Sequence, residues 1–124
     1  MIQANDPQSR ACFAHHRLRA WHVAMRAMNL CHDIAAEVGP GLGRLADQLR
    51  NASQSACLQV GEGAAKQGAE RRQRFRGARS EASEAASALE IVEARRRGDP
   101  AKLVEAHNEL GKLCAMLVKL ERAA

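Results

Sequence analysis

Few side chains in this 124-residue chain are of the types that carry chemistry, and their spacing limits what they could do. A di-metal site in a helical bundle needs inward glutamates joined to Glu-x-x-His pairs. The nearest approaches are Glu105, two residues before His107, and Asp33, beside His32. Neither spacing puts both ligands on one helix face. Nucleophilic catalysis needs a thiol or hydroxyl within reach of a base, yet Cys31 and His32 are adjacent and face different ways. His15-His16 falls at a fraying helix start, and His107 falls on an apolar face, as a core histidine with a local partner. The expectation is no catalytic residue, no metal, no cofactor, and hence no enzyme.

The charged residues are more informative. Lys66–Arg79 holds six positive charges against one negative, a surplus equal to the +5 of the whole chain. Arg72, Arg76 and Arg79 share one flank of a helix, and Arg71 and Arg74 spread around its exposed first turns. Guanidinium forks clamp phosphate bidentately, which suits the backbone of RNA or DNA. With no Tyr, two Phe and one Trp, there is little to stack bases on, so backbone contact is the physical option. Ser80–Ala94 then carries four glutamates and no base. A basic helix start opposes the macrodipole by about 0.3–1 kcal/mol per well-placed charge, and neighbouring arginines repel. Something must offset that cost. The choices are nucleic-acid phosphate, a neighbouring subunit's Glu81, Glu84 or Glu90 in a head-to-tail ring, or solvent alone. Arg95-Arg96-Arg97 complements the dipole at the same helix's end, with Glu93 reaching Arg97 four residues on.

These residues need helices to position them. An apolar content of 46% with much Ala and Leu and almost no aromatics favours helix over strand. Four cysteines at 12, 31, 57 and 114 form no CxxC and read as reduced apolar thiols. No apolar run approaches the ~20 residues of a membrane span, and the polar start lacks a signal peptide's apolar core, so a cytoplasmic protein without membrane contact is expected. Residues 1–12 read as a flexible segment and 13–124 as one domain. Leu18, Trp21, Met25, Met28, Cys31, Ile34 and Val38 mark a first helix over 13–38, ended by Gly39-Pro40-Gly41. Leu45, Leu49, Ala52, Ala56 and Val60 mark a second over 42–65, in which Gly61 and Gly63 serve close backbone approach or an early end. Phe75, Ala78, Ala82, Ala85, Leu89 and Val92 mark a third over 69–97. Asp99-Pro100 caps a fourth, with Leu103, His107, Leu110, Cys114, Leu117 and Leu120 inward. Long helices with short turns predict an all-α, single antiparallel up-down-up-down four-helix bundle. Gln59 lies ~40° from the inner stripe of the second helix, taking about 100° per residue, and Glu62 lies on its flank. Both are expected in a structural polar network between two helices.

The second helix also carries a resemblance. Leu45-xx-Gln48-Leu49-Arg50-x-Ala52-xx-Ser55-xxx-Gln59-Val60-Gly61-Glu62-Gly63 resembles the LxxQLRRAAxSIxxNIAEG signature of small bacterial four-helix-bundle proteins, the ribosomal-RNA intervening-sequence proteins. Leu18-x-Ala20-Trp21 is similar to the LxVW opening of their first helix. Phe75-xx-Ala78-x-Ser80-xx-Ser83-Glu84 is similar to the FLxIAxGSxxEL pattern of their third. Gln59 replaces the signature Asn, Gly61 the Ala, and Ser80-Glu81 the Gly-Ser. The resemblance implies a homopentameric ring without enzymatic activity. For a related member, the accessory variability protein of diversity-generating retroelements, it implies binding to a reverse transcriptase and to nucleic acid. The expected function is a non-enzymatic oligomeric scaffold that meets nucleic-acid phosphate or a nucleic-acid-processing protein. The alternative is a purely structural assembly module whose partner is a protein.

Overall fold

The structure is a computed structural model that describes residues 12–124; the polar segment expected over 1–12 lies, Cys12 apart, outside the described residues. A 3₁₀ turn, Ala14–Arg17, precedes four helices: α1 Arg19–Glu37, α2 Gly43–Ala64, α3 Gly68–Ala94 and α4 Pro100–Ala123. There is no strand among the described residues. α2 packs between α1 and α3, and α4 packs against α3 and α1. Polar contacts fix the register. They join Glu62 to Arg74 and Gln48 to Glu84, Arg79 to Glu121 and Glu90 to His107, and Arg26 to Glu109 and Glu37 to Lys102. Within each pair of helices one residue number rises as the other falls.

Small residues set the packing. The whole α3 stripe from Phe75 to Val92 is buried, as its spacing predicts, and Ala88 joins it. Leu49, Ala52, Ala56 and Val60 of α2, which packs on α3, are buried too, with Ala46, Ser53 and Cys57 beside them. An alanine seam lets helices approach toward the short end of the usual ~8–10 Å spacing. Ala82 is wholly buried, so Ala82→Leu forces three extra carbons into filled space. It should destabilise the chain by about 1–3 kcal/mol in thermal or urea unfolding. An unchanged midpoint would place Ala82 at a surface.

Three element boundaries and faces differ from those read in the sequence. α1 begins at Arg19, six residues late, because Leu18 is extended (φ −97°, ψ 116°) and divides the helix from the 3₁₀ turn. In its first half the centre of the core is Ala20, Val23, Ala24 and Ala27, with Leu18, Trp21, Met25 and Met28 packed partly buried around it. α3 stops at Ala94 rather than Arg97. Arg96 takes φ +58°, and the Arg96 and Arg97 N–H groups donate back to the Glu93 and Val92 carbonyls at 2.9 and 3.1 Å. This is the Schellman arrangement that usually uses glycine. Arg97 therefore leaves the helix and pairs with no glutamate on it. Its Nη1 donates to the carbonyls of Val38 and Pro40 at 2.8 and 3.2 Å, capping the end of α1. Asp99 is the N-cap expected of it, its carboxylate accepting from the Ala101 N–H at 2.9 Å.

Candidate anion-binding surface

The basic start of α3 divides into three groups by what each arginine touches. Arg71 turns back along the chain: its Nε and Nη2 donate to the Gly63 and Ala64 carbonyls at 3.1 and 3.0 Å, and its guanidinium lies 5.9 Å from the Phe75 ring centroid. A cation at the C-terminal end of α2 complements that helix's dipole, which offsets part of its cost at the start of α3. Arg74 leans toward α2 and pairs with Glu62 at 3.4 Å. Arg72, Arg76 and Arg79 lie on the opposite flank, in a groove against α4 completed by Val118, Glu121 and Arg122.

Glu121 organises this groove. Its oxygens accept from Arg79 Nε and Nη2 at 2.8 and 3.0 Å, a bidentate pair, and Arg76 Nε stands 3.6 Å away. The residue is only 8% exposed. Hydrogen bonding from Arg79 holds its carboxyl below the ordinary range, against the opposing effect of burial. Its pairing energy is thus present above the usual carboxylate pKa and is lost as pH falls through the lower folded value. Glu121 was not singled out in the sequence, yet a signal exists. It extends the buried series Leu103, Ala106, Leu110, Leu113, Leu117 by four more residues, a carboxylate where the pattern calls for an aliphatic group. Among the described residues Arg72 and Arg122 form no ion pair, and both are exposed.

The acidic block is also divided. Glu84 accepts from Gln48 Nε2 at 2.7 Å on the α2 side. Glu81, beside it, has its carboxyl pushed up by desolvation and by the Glu84 charge. Glu90 lies instead on the α4 side, 2.9 Å from His107 Nε2. His107 is accordingly an exposed surface residue, not a core histidine. On α2, Gln59 and Glu62 do not meet. The Gln59 amide donates weakly to Ser55 Oγ at 3.4 Å and rests on Gly77 of α3, where a Cβ would lie 1.9 Å from its oxygen. Glu62 is exposed on its pair with Arg74, and the buried carboxylate among the described residues is Glu121.

The remaining reactive groups are in structural settings. His15 is packed, not frayed. Its ring lies 4.3 Å from that of Trp21 and 4.4 Å from that of His16, and burial, with His16 and His22 nearby, lowers its pKa. Gly61 borders this cluster, where a Cβ would meet the Trp21 ring at 3.4 Å, an ordinary contact distance. All four cysteines are free thiols. Burial pushes Cys31 up to about 12 and Cys57 to about 11, which makes both poor nucleophiles. Among the described residues no three His, Cys, Asp or Glu gather as a metal would require. No helix there is long and apolar enough to cross a membrane.

No curated protein matches this sequence. A family model for 23S rRNA-intervening sequence proteins does, over residues 16–119. That span takes in the Trp21 cluster except His15, the Arg71 and Arg74 contacts, and the arginine groove except its last two members, Glu121 and Arg122. With four helices in the register described above and most of its length matched, the chain belongs to the 23S rRNA-intervening sequence protein family.

Proposed function

We propose that this protein is a non-enzymatic cytoplasmic scaffold. Its up-down-up-down bundle assembles as a homopentamer and contacts nucleic-acid phosphate, directly or beside a nucleic-acid-processing protein, through the α3–α4 groove. The carrying observation is a charge imbalance. Four guanidiniums line the groove against the single carboxylate of Glu121, a surplus of three, and two of the four have no ion pair among the described residues. Exposed arginines at i and i+4 suit a phosphodiester backbone better than a flat neutral partner.

The structural-module reading has one observation in its favour. The arginine groove and the Glu81–Glu84 pair sit on opposite flanks of α3, the second in a groove with Asp47 and Gln48 of α2. Opposite flanks of unlike charge are what a head-to-tail ring would join. Assembly is tested by light scattering at micromolar concentration, where a mass near five chains is expected and a stable monomer would remove the ring. Contact is tested by binding to a nonspecific duplex, with a log–log salt slope of about −0.9 per phosphate neutralised. Binding without a salt slope would count against phosphate.

A further inference from the structure

We propose that Glu121 acts as an internal competitor in the α3–α4 groove, its carboxylate holding the Arg76 guanidinium that a phosphate of a bound nucleic acid takes. The inference rests on the phosphate reading of that groove and adds to it a built-in brake on affinity. A carboxylate and a phosphodiester present the same pair of oxygens to a guanidinium fork. Glu121 already uses that chemistry: Arg79 holds it at 2.8 and 3.0 Å, and Arg76 approaches it at 3.6 Å.

Packing alone gives no reason for an acid at this position. Glu121 continues an apolar stripe in which Leu113 and Leu117 are fully buried. A buried carboxylate loses hydration, and near the C-terminal end of α4 it also opposes the helix dipole. An aliphatic residue would avoid both costs and would leave Arg76 and Arg79 open to solvent. Glu121 withdraws them. The two are not held equally. The Arg79 side chain is 39% exposed and doubly bonded, whereas that of Arg76 is 66% exposed and makes one long contact. A phosphate chain arriving over Arg72 and Arg122 therefore draws Arg76 away from Glu121 first, and Arg79 stays to anchor α4. The consequence is selectivity for closely spaced phosphates over isolated anions, because an anion that engages only Arg76 must displace Glu121 without other gain.

The test compares the full-length chain with Glu121→Gln, whose amide keeps a hydrogen bond to Arg79 while losing the charge. The probe is a short nonspecific DNA duplex, titrated at several salt concentrations. The variant should bind roughly 3- to 10-fold more tightly at low salt, with a slope steeper by about one. Unchanged or weaker affinity in a folded variant, alongside binding by the wild type, overturns the competitor and leaves the phosphate reading intact. Absence of binding by both chains overturns the two together. Should Glu121→Gln fail to fold, the wild type decides by ¹⁵N NMR of the arginine side chains during the same titration. The Arg76 Nε–H signal should move with those of Arg72 and Arg122; if it stays fixed while they respond, Glu121 is a structural anchor only.

Discussion

Alanine at Gly63 is expected to weaken the fold by about 1–3 kcal/mol, even though alanine is the better helix former by ~1 kcal/mol. At about 2.1 cal/mol/K of unfolding entropy per residue, that lowers the midpoint of a 124-residue chain by roughly 4–12 °C. A Cβ at Gly63 would lie 2.5 and 2.7 Å from two carbons of the Phe75 ring and 3.3 Å from Arg74 Cβ. The ring is 1% exposed and cannot swing into solvent. Relief requires α2 to move from α3, which also disturbs the bond from Arg71 to the Gly63 carbonyl. Gly77 is the informative contrast. Its nominal clash is closer, 1.9 Å, but it falls on the end of the Gln59 side chain, which can rotate away from its weak bond to Ser55. Gly77→Ala should be near neutral. Gly111→Ala, with nothing within 4 Å, should stabilise by about 0.5–1 kcal/mol. Differential scanning fluorimetry ranks the three, and a Gly63→Ala chain as stable as Gly111→Ala would mean that the ring does not lie on Gly63.

These glycines show where the sequence was readable and where it was not. The α3 stripe was readable because its small and large apolar residues share one 3.6-residue phase. In α1 spacing alone puts the largest apolar residues at the centre of the face, and the structure puts them at its margin. Between closely packed helices the middle admits Ala20, Val23, Ala24 and Ala27, and Trp21 and the methionines cover the margin. The end of α3 is not legible from glycine, because Arg96 takes the left-handed position and Gly98 lies two residues beyond it. Of Gly61 and Gly63, only Gly63 meets a close approach, and the group that approaches is the Phe75 ring rather than backbone. Partners across helices were the least legible. His107 meets Glu90, Arg97 meets the end of α1, and Glu121 meets Arg79 only once register sets them side by side. The arginines of one flank were grouped correctly from spacing alone. Their intrachain counter-ion, 42 residues away, was hidden.

That counter-ion decides how the two readings of the arginine block are separated. Reversing Arg76 would set a second carboxylate against Glu121 and disturb the fold itself, so the clean variant is Arg72→Glu/Arg122→Glu, which breaks no ion pair among the described residues. On the phosphate reading, duplex binding should fall on the order of 100-fold at low salt, and the mass by light scattering should not change. The circular dichroism spectrum should also stay that of the wild type, since both side chains are exposed. On the subunit reading, the arginine flank instead meets Glu81 and Glu84 of a neighbour, where a cation would offset the desolvation and the Glu84 charge that push the Glu81 carboxyl up. The oligomer would then weaken, and Glu81→Arg/Glu84→Arg in the same chain would partly restore it by exchanging the charges across the contact. Because the two flanks lie on opposite sides of α3, such rescue can only act between chains and not within one. A variant that keeps both its mass and its affinity would make the block a solvated face, stabilised within the chain by Glu121, by the Arg74–Glu62 pair and by the turned-back Arg71.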